Sequence, residues 1–362
     1  MSTADFFEVR FPSGATTHVV IGPLSSLPDA CTAAGLSGRA GLLVDAGLAQ
    51  LHATALRALT PAFGEILARP VREDRKSLAE VEAMCEVLAR RGVGRDGFVV
   101  AIGGGVLTDL AGLAAALYLR GVPWASVPST LLAQVDAGLG GKTGANLSAG
   151  KNLVGAFHQP RVVLCDPALL RTLPARELWS GLAEVVKCAL LAEAPGLLER
   201  CERDLERAAA GDAAALGPLI EASLRHKAQV VAGDEREGAG RAFLNLGHTV
   251  GHAIETATGY GHFAHGEAVA LGLRSALWLS RERGLLEGTA YERALRLVRR
   301  LQIAHPLELT APLRETALQA LARDKKARAG QVRFVLLRGL GAPELAEVSA
   351  AECAAALDAA LA

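Results

Sequence analysis

Gly97-Phe98-Val99-Val100-Ala101-Ile102 carries no polar side chain and stops at three glycines, Gly103-Gly104-Gly105, with an apolar helical pattern from about 106 to 119 behind them. A strand with one face in water would alternate, so this unbroken run predicts a strand buried on both faces, the habit of parallel sheets covered by helices. The neighbouring sequence repeats the alternation of strand and helix. Residues 5–11 and 16–21 are short β-type runs split by Pro12-Ser13-Gly14; Gly41–Asp45 and Trp124–Pro128 are further apolar runs. A helical pattern from about 47 to 60 is expected to end at Pro61, and Leu78, Val81, Cys85 and Leu88 recur at helical spacing. From about 170 the β signal fades into long Ala/Leu-rich periodic stretches, apart from the late β-type run Gln331–Leu337. Pro167 and Pro174 interrupt the pattern between them. The expected architecture is an α/β, Rossmann-like domain over 1–170 and a mainly α-helical domain over 171–362.

Charge excludes one class of partner. Lys plus Arg and Asp plus Glu both number 38, so the formal net charge of the 362 residues is zero. A chain that grips nucleic acid or an anionic membrane by bulk charge would be basic. Aromatic residues are only 4%, little material for base-stacking platforms. The six cysteines are scattered with no C-x-x-C pair, as buried thiols of a reducing compartment would be. The first residues, MSTADFFEVRF, lack a basic leader and a long apolar run, and no segment reaches the roughly 18 apolar residues of a membrane span. A cytoplasmic protein is expected.

Three constellations carry chemistry. Strand, triple glycine and helix make a phosphate-cradling arrangement, because glycine lets backbone N–H groups approach an anion at a helix N-terminus. The loop is not G-x-G-x-x-G, so a plain tight turn stays open beside the nucleotide reading. Asp45 suits ribose hydroxyls or a helix N-cap equally. Gly140-Gly141-Lys142-Thr143-Gly144 and Gly150-Lys151-Asn152 place two lysines in glycine-rich chain, either a small-anion site or a solvated loop. Finally, Glu184 and Lys187 are three apart on an expected helix, His248 and His252 four apart on another, and His265-Gly266-Glu267 opens a third. One carboxylate and two or three imidazoles suit a divalent transition metal, zinc first. His262 lies in an expected loop and is a weaker ligand.

The motifs GGGVLTDLAG, YLRG, VPSTLLAQVDAGLGGKTG, GKNLVGAFHQP, LPARELWSGLAEVVK, LNLGHTVGHAIE, HGEAVALGL and DKKARAGQVRFVLL run in order from about 98 to 337. Together they resemble the 3-dehydroquinate synthases of the sugar-phosphate cyclase superfamily. The resemblance implies conversion of 3-deoxy-arabino-heptulosonate 7-phosphate to 3-dehydroquinate and phosphate, an early shikimate-pathway step. Catalytic NAD transiently oxidises a hydroxyl, phosphate is eliminated, the hydride returns, and an aldol step closes the ring. It implies zinc, or cobalt, on Glu184, His248 and His265. It places Lys142, Asn152, Lys187, His252 and the Lys325-Lys326 pair around the reacting groups. Lys227 and Arg241 match a carboxylate-binding pair, and Asp136 and Asn245 other substrate contacts. Arg120 matches an arginine that reaches a neighbouring subunit, implying a homodimer. For NAD the matches are Asp45, Glu73, Lys76, Gly105, Asp109, Ser129, Thr130, Lys142, Lys151 and Thr172. Arg72 stands where the family commonly has glycine, and Thr108 replaces another. The rival readings are a sister cyclase acting on sedoheptulose 7-phosphate, which has no carboxylate for Lys227 and Arg241, and a metal-dependent polyol dehydrogenase, which would release NADH.

Overall fold

The computed structural model describes residues 5–193, 196–238, 240–259, 261–305, 310–323 and 332–360. The chain divides into two units, Met1–Leu173 with Leu216–Arg236, and Pro174–Ala215 with Glu237–Ala362. Residues 216–236, within the stretch expected to belong to the second domain, group with the first unit. There Lys227 bonds to Asp136, and the Glu235 carboxylate accepts from Ser13 Oγ at 2.9 Å and from Gln159 Nε2 at 3.1 Å.

In the first unit the strands β1 (Asp5–Arg10), β2 (Thr16–Ile21), β3 (Ala40–Asp45), β4 (Ile66–Arg69), β5 (Phe98–Gly103), β6 (Trp124–Pro128), β7 (Lys142–Leu147), β8 (Gly150–Phe157) and β9 (Val162–Cys165) succeed one another. Seven build one sheet in the order β1-β2-β9-β6-β5-β3-β4, parallel except for β1 at the edge. β5 is buried along its whole length, as its apolar run requires. Its side chains alternate between two cores. Val100 and Ile102 join Leu42, Val44 and Val127 on one face; Val99 and Ala101 join Leu43, Leu107 and Trp124 on the other.

Two elements differ from the sequence reading. The helix expected over 47–60 is three short ones, Ala46–Leu51, Ala53–Arg57 and Thr60–Phe63, broken first at His52, where φ is −117°. Pro61 opens the third, where its missing N–H is not needed, instead of closing the first. The glycine-rich stretch around Lys142 and Lys151 is an antiparallel hairpin, β7 with β8. Its glycines serve close approach: a Cβ on Gly155 would lie 2.0 Å from the Thr143 carbonyl oxygen.

The second unit is mainly helical. The helices Ala175–Leu191, His248–Thr258 and His265–Glu282 carry Glu184 and Lys187, His248 and His252, and His265 in turn. They are bracketed by a second hairpin, β10 (Val332–Gly339) with β11 (Ala342–Val348), whose Phe334 and Leu336 join Ile254, Leu271 and Leu357 in one core. β11 pairs with no other strand among the described residues, which is why Pro343 is tolerated in it.

Candidate active site

In the first unit, β3 leads outward to the edge strand β4, and the chain then crosses back to β5 on the other side of β3. The carboxyl ends of β3 and β5 therefore flank a topological switch point, the place where open α/β sheets bind ligands. Asp45 ends β3 and accepts the Leu48 N–H at 2.9 Å, so it is a helix N-cap held at that crevice. Gly103 ends β5; a Cβ there would lie 3.3 Å from the Asp45 Cβ and closer still to Leu107. Gly105 begins the helix Gly105–Leu117, so its first turn presents backbone N–H groups at the same edge. Ser129 follows β6 and donates its N–H to the Gly103 carbonyl at 2.9 Å, and Thr130 Oγ1 caps Ala133 N at 3.2 Å. A nucleotide with a diphosphate fits this edge: backbone donors for the anion, a carboxylate for a sugar hydroxyl.

Polar side chains expected at cofactor and substrate meet nearby. Lys76 is buried, and its Nζ lies 2.5 Å from both Asp109 Oδ2 and Asn152 Oδ1. Burial pushes the Asp109 carboxyl up to about 6, with Lys76 opposing the shift. Glu73 faces Lys151 at 3.8 Å. Thr172 Oγ1 lies 2.7 Å from His52 Nε2, a partner no motif indicated. Asp136 sits in a π-helical turn, Ala133–Ala137, and Lys227 donates to both its carboxylate and its carbonyl. Widened turns of this kind expose a backbone carbonyl to side-chain donors. Lys142 opens β7 and is exposed. Arg120 is exposed in a turn where Leu119 (φ 52°) and Arg120 (φ 69°) are both left-handed.

In the second unit Glu184, His248 and His265 converge, one donor atom from each lying within 4.8 Å of the others. His248 Nε2 and His265 Nε2 are each 3.6 Å from Glu184 Oε1. A tetrahedral zinc with bonds of about 2.0–2.2 Å sets its ligand atoms about 3.3–3.6 Å apart, so the trio fits such an ion. The His248 Nδ1–H points to the Leu246 carbonyl at 3.2 Å, which fixes the tautomer and turns Nε2 inward. Burial, then the nearby Lys187 charge, push His248 down to about 3, so it is neutral and has a lone pair to give. At His265 burial acts downward too, but Glu184 and Glu255 outweigh it and hold the imidazole up at about 10. Lys187, itself buried, pairs with Glu184. His252 lies beside the trio, its ring 5.3 Å from that of His248.

Close helix contact makes this convergence possible. A Cβ on Gly266 would lie 2.0 Å from the Ser180 carbonyl oxygen, and one on Gly272 1.8 Å from that of Gly247. Glycine at both positions lets the three helices touch through backbone.

Two further groups escaped the sequence reading. Glu255 Oε2 lies 3.6 Å from His265 Nδ1; its place three residues after His252 on the same helix face was the available signal. Arg176 makes a bidentate bond to buried Glu267, which also accepts from Ala264 N and Ala304 N. That pairing anchors the chain entering the His265 helix, and nothing local in sequence announces it. Arg241 is buried and Asn245 exposed in the turn Gly240–Asn245. Lys325 and Lys326 lie outside the described residues.

Known proteins resemble the chain over both halves. The family model described as 3-dehydroquinate synthase N-terminal matches residues 66–180, and that described as 3-dehydroquinate synthase C-terminal matches 181–327. A 3-dehydroquinate synthase of Dichelobacter nodosus is 46% identical over 74% of this chain and 72% of its own length. Among solved structures, a 2-deoxy-scyllo-inosose synthase complexed with carbaglucose-6-phosphate, NAD+ and Co2+ superposes with a TM-score of 0.87 at 25% identity, covering 98% of this chain and 99% of the other. A 2-epi-5-epi-valiolone synthase from Streptomyces hygroscopicus with NAD+ and Zn2+ bound gives 0.83 at 30% identity, over 99% of each.

Proposed function

The chain belongs to the 3-dehydroquinate synthase family, and from that premise we propose the roles of its residues in converting 3-deoxy-arabino-heptulosonate 7-phosphate to 3-dehydroquinate and phosphate. The enzyme is a phosphate-eliminating lyase of the shikimate pathway that uses NAD and a divalent metal. The observation that carries this reading is the 46% identity to a 3-dehydroquinate synthase, against 25–30% to the sister cyclases of solved structure.

NAD supplies a reversible hydride acceptor, and the metal supplies Lewis acidity toward substrate hydroxyls. In this reading the first unit is the NAD-binding domain. Asp45, Glu73, Lys76, Gly105, Asp109, Ser129, Thr130, Lys142, Lys151 and Thr172 take the cofactor, supported by the meeting of Asp45, Gly105, Ser129 and Thr130 at the switch point and by the contact of Lys76 with Asp109. Glu184, His248 and His265 hold zinc or cobalt, supported by the donor spacing. Lys187 and His252 stand beside that trio, where an ammonium stabilises developing oxyanion charge and an imidazole exchanges a proton with a hydroxyl. Asn152, Lys142 and the Lys325-Lys326 pair take the phosphate end, and Lys227 and Arg241 the carboxylate. Asp136 aims Lys227; Asn245 adds a polar contact.

The protein works as a homodimer in the cytoplasm, with Arg120 directed to the neighbouring subunit. The left-handed backbone at Leu119 and Arg120 supports this, since non-glycine residues take that conformation at a cost of about 1–3 kcal/mol and such strain clusters at functional positions. No helix among the described residues is long and apolar enough to cross a membrane. The test is phosphate release by the purified protein with NAD and zinc or cobalt. The heptulosonate phosphate should turn over without net NADH. Turnover of sedoheptulose 7-phosphate alone would overturn the substrate, and NADH formed mole for mole with product would make the enzyme a dehydrogenase.

A further inference from the structure

Near the end of β7 one side chain joins groups that the functional reading treats separately. Asn146 Nδ2 donates to Glu73 Oε1 at 2.9 Å. Its Oδ1 accepts the Asn152 N–H at 2.9 Å, and its own N–H donates to the Lys76 carbonyl at 2.7 Å. Each partner has a second commitment. Glu73 faces Lys151, and the side chain of Asn152 accepts from Lys76 Nζ, which also holds Asp109. Asn152 is moreover a left-handed non-glycine residue in a strand, with φ at 54°. Such a backbone persists only where its surroundings over-determine it, and the bond from its N–H to Asn146 is one of the constraints.

We propose that Asn146 is a positioning residue: it aims the Glu73 carboxylate at NAD and holds Asn152 in the conformation that meets Lys76. The inference rests on the reading of this unit as the NAD site. Only a short amide satisfies the geometry. One end must donate to a carboxylate while the other accepts from a backbone N–H; aspartate and alanine cannot do both, and serine has only a single, nearer oxygen to offer to the two partners. Asn146 couples the cofactor-binding carboxylate to the substrate-side amide, so its loss disturbs both.

The experiment separates the two bonds by calorimetric titration of the full-length protein with NAD. Asn146→Asp keeps the acceptor for Asn152 and sets a second carboxylate against Glu73. Losing a hydrogen bond to a charged group should raise the Kd for NAD about tenfold, with kcat at saturating NAD falling less than threefold. Asn146→Ala loses both bonds and should lower kcat further as well as raising Kd. The pair Asn146→Asp with Glu73→Gln restores one donor and one acceptor in reverse order. Its Kd should be lower than the two single effects multiplied together. Wild-type NAD affinity in Asn146→Asp, or multiplicative effects in the double variant, would overturn the role of Asn146 alone. A wild-type chain that binds no NAD would overturn the cofactor reading along with it.

Discussion

A carboxylate with no solvent exposure has to be compensated, and Glu184 is in that position beside Lys187 and two imidazoles. Removing one member of a buried charge pair leaves the other uncompensated, at about 3–5 kcal/mol. Glu184→Gln should therefore strip the metal, measured by elemental analysis of purified protein, and lower the melting temperature with it. Unchanged metal content would take Glu184 out of the ligand set. Glu255→Gln is milder: it leaves the three proposed ligand atoms and alters what His265 Nδ1 faces, so metal affinity should fall about 10–100-fold while the fold persists. Asp109 gives a pH prediction. Burial raises its carboxyl from 3.8 to about 6. Between those values the folded chain holds a proton that the unfolded chain has lost, so stability falls as pH rises through that window. Asp109→Asn should flatten the decline in melting temperature between pH 4 and 6; an unaltered slope would mean the carboxyl ionises normally. The convergence of His248 and His265 on Glu184 was legible in sequence because His248 and His252 repeat at one helical turn and His265 follows closely. Asn146, His52 and Arg176 were not, because each acts on a partner 73, 120 or 91 positions away.

Periodicity registers what lies along an element, and contact between elements leaves weaker traces. The unbroken run 97–102 announced β5 because burial on both faces removes every polar side chain. The β7–β8 hairpin was hidden because its strands use glycine for close packing, and glycine in sequence reads as loop. His52 likewise broke an expected helix without a proline or glycine to mark the place. Close packing also sets a prediction for the helices that carry Glu184, His248 and His265. A methyl at Gly266 would collide with the Ser180 carbonyl. Overpacking of this kind costs about 1–3 kcal/mol or more, so Gly266→Ala should unfold at lower denaturant and bind metal more weakly, because His265 is its neighbour. Gly288→Ala, at the start of the helix Gly288–Arg299, is the control: an added methyl there meets nothing within 4 Å, and the variant should match wild type. Equal midpoints for both variants would show that the helices have room to part.

At the scale of the molecule, a zero net charge conceals local order. The chain sets 38 cations against 38 anions, and many on the second unit cancel in pairs, as Arg293 does with Glu202 and Arg300 with Glu206. Others stand among the groups proposed to bind cofactor, metal and substrate: Lys76 between Asp109 and Asn152, Lys187 on Glu184, Lys227 on Asp136, and exposed Lys142. Composition could exclude a polyanionic partner; it could not locate these, because a sum carries no positions. The expected consequence is attraction confined to a small anion. Raising ionic strength from 0.01 to 0.1 M shortens the screening length from about 30 to about 10 Å, so capture of a phosphorylated substrate should weaken while groups already in contact are little screened. KM should rise several-fold over that range and kcat should stay within about twofold, because transition-state contacts are short and partly buried. Lys142→Gln should lessen the salt dependence of KM, because an exposed charge acts through solvent and at range. A KM indifferent to salt in the wild type would place recognition wholly in short contacts, and the neutral surface would then be neutral locally too.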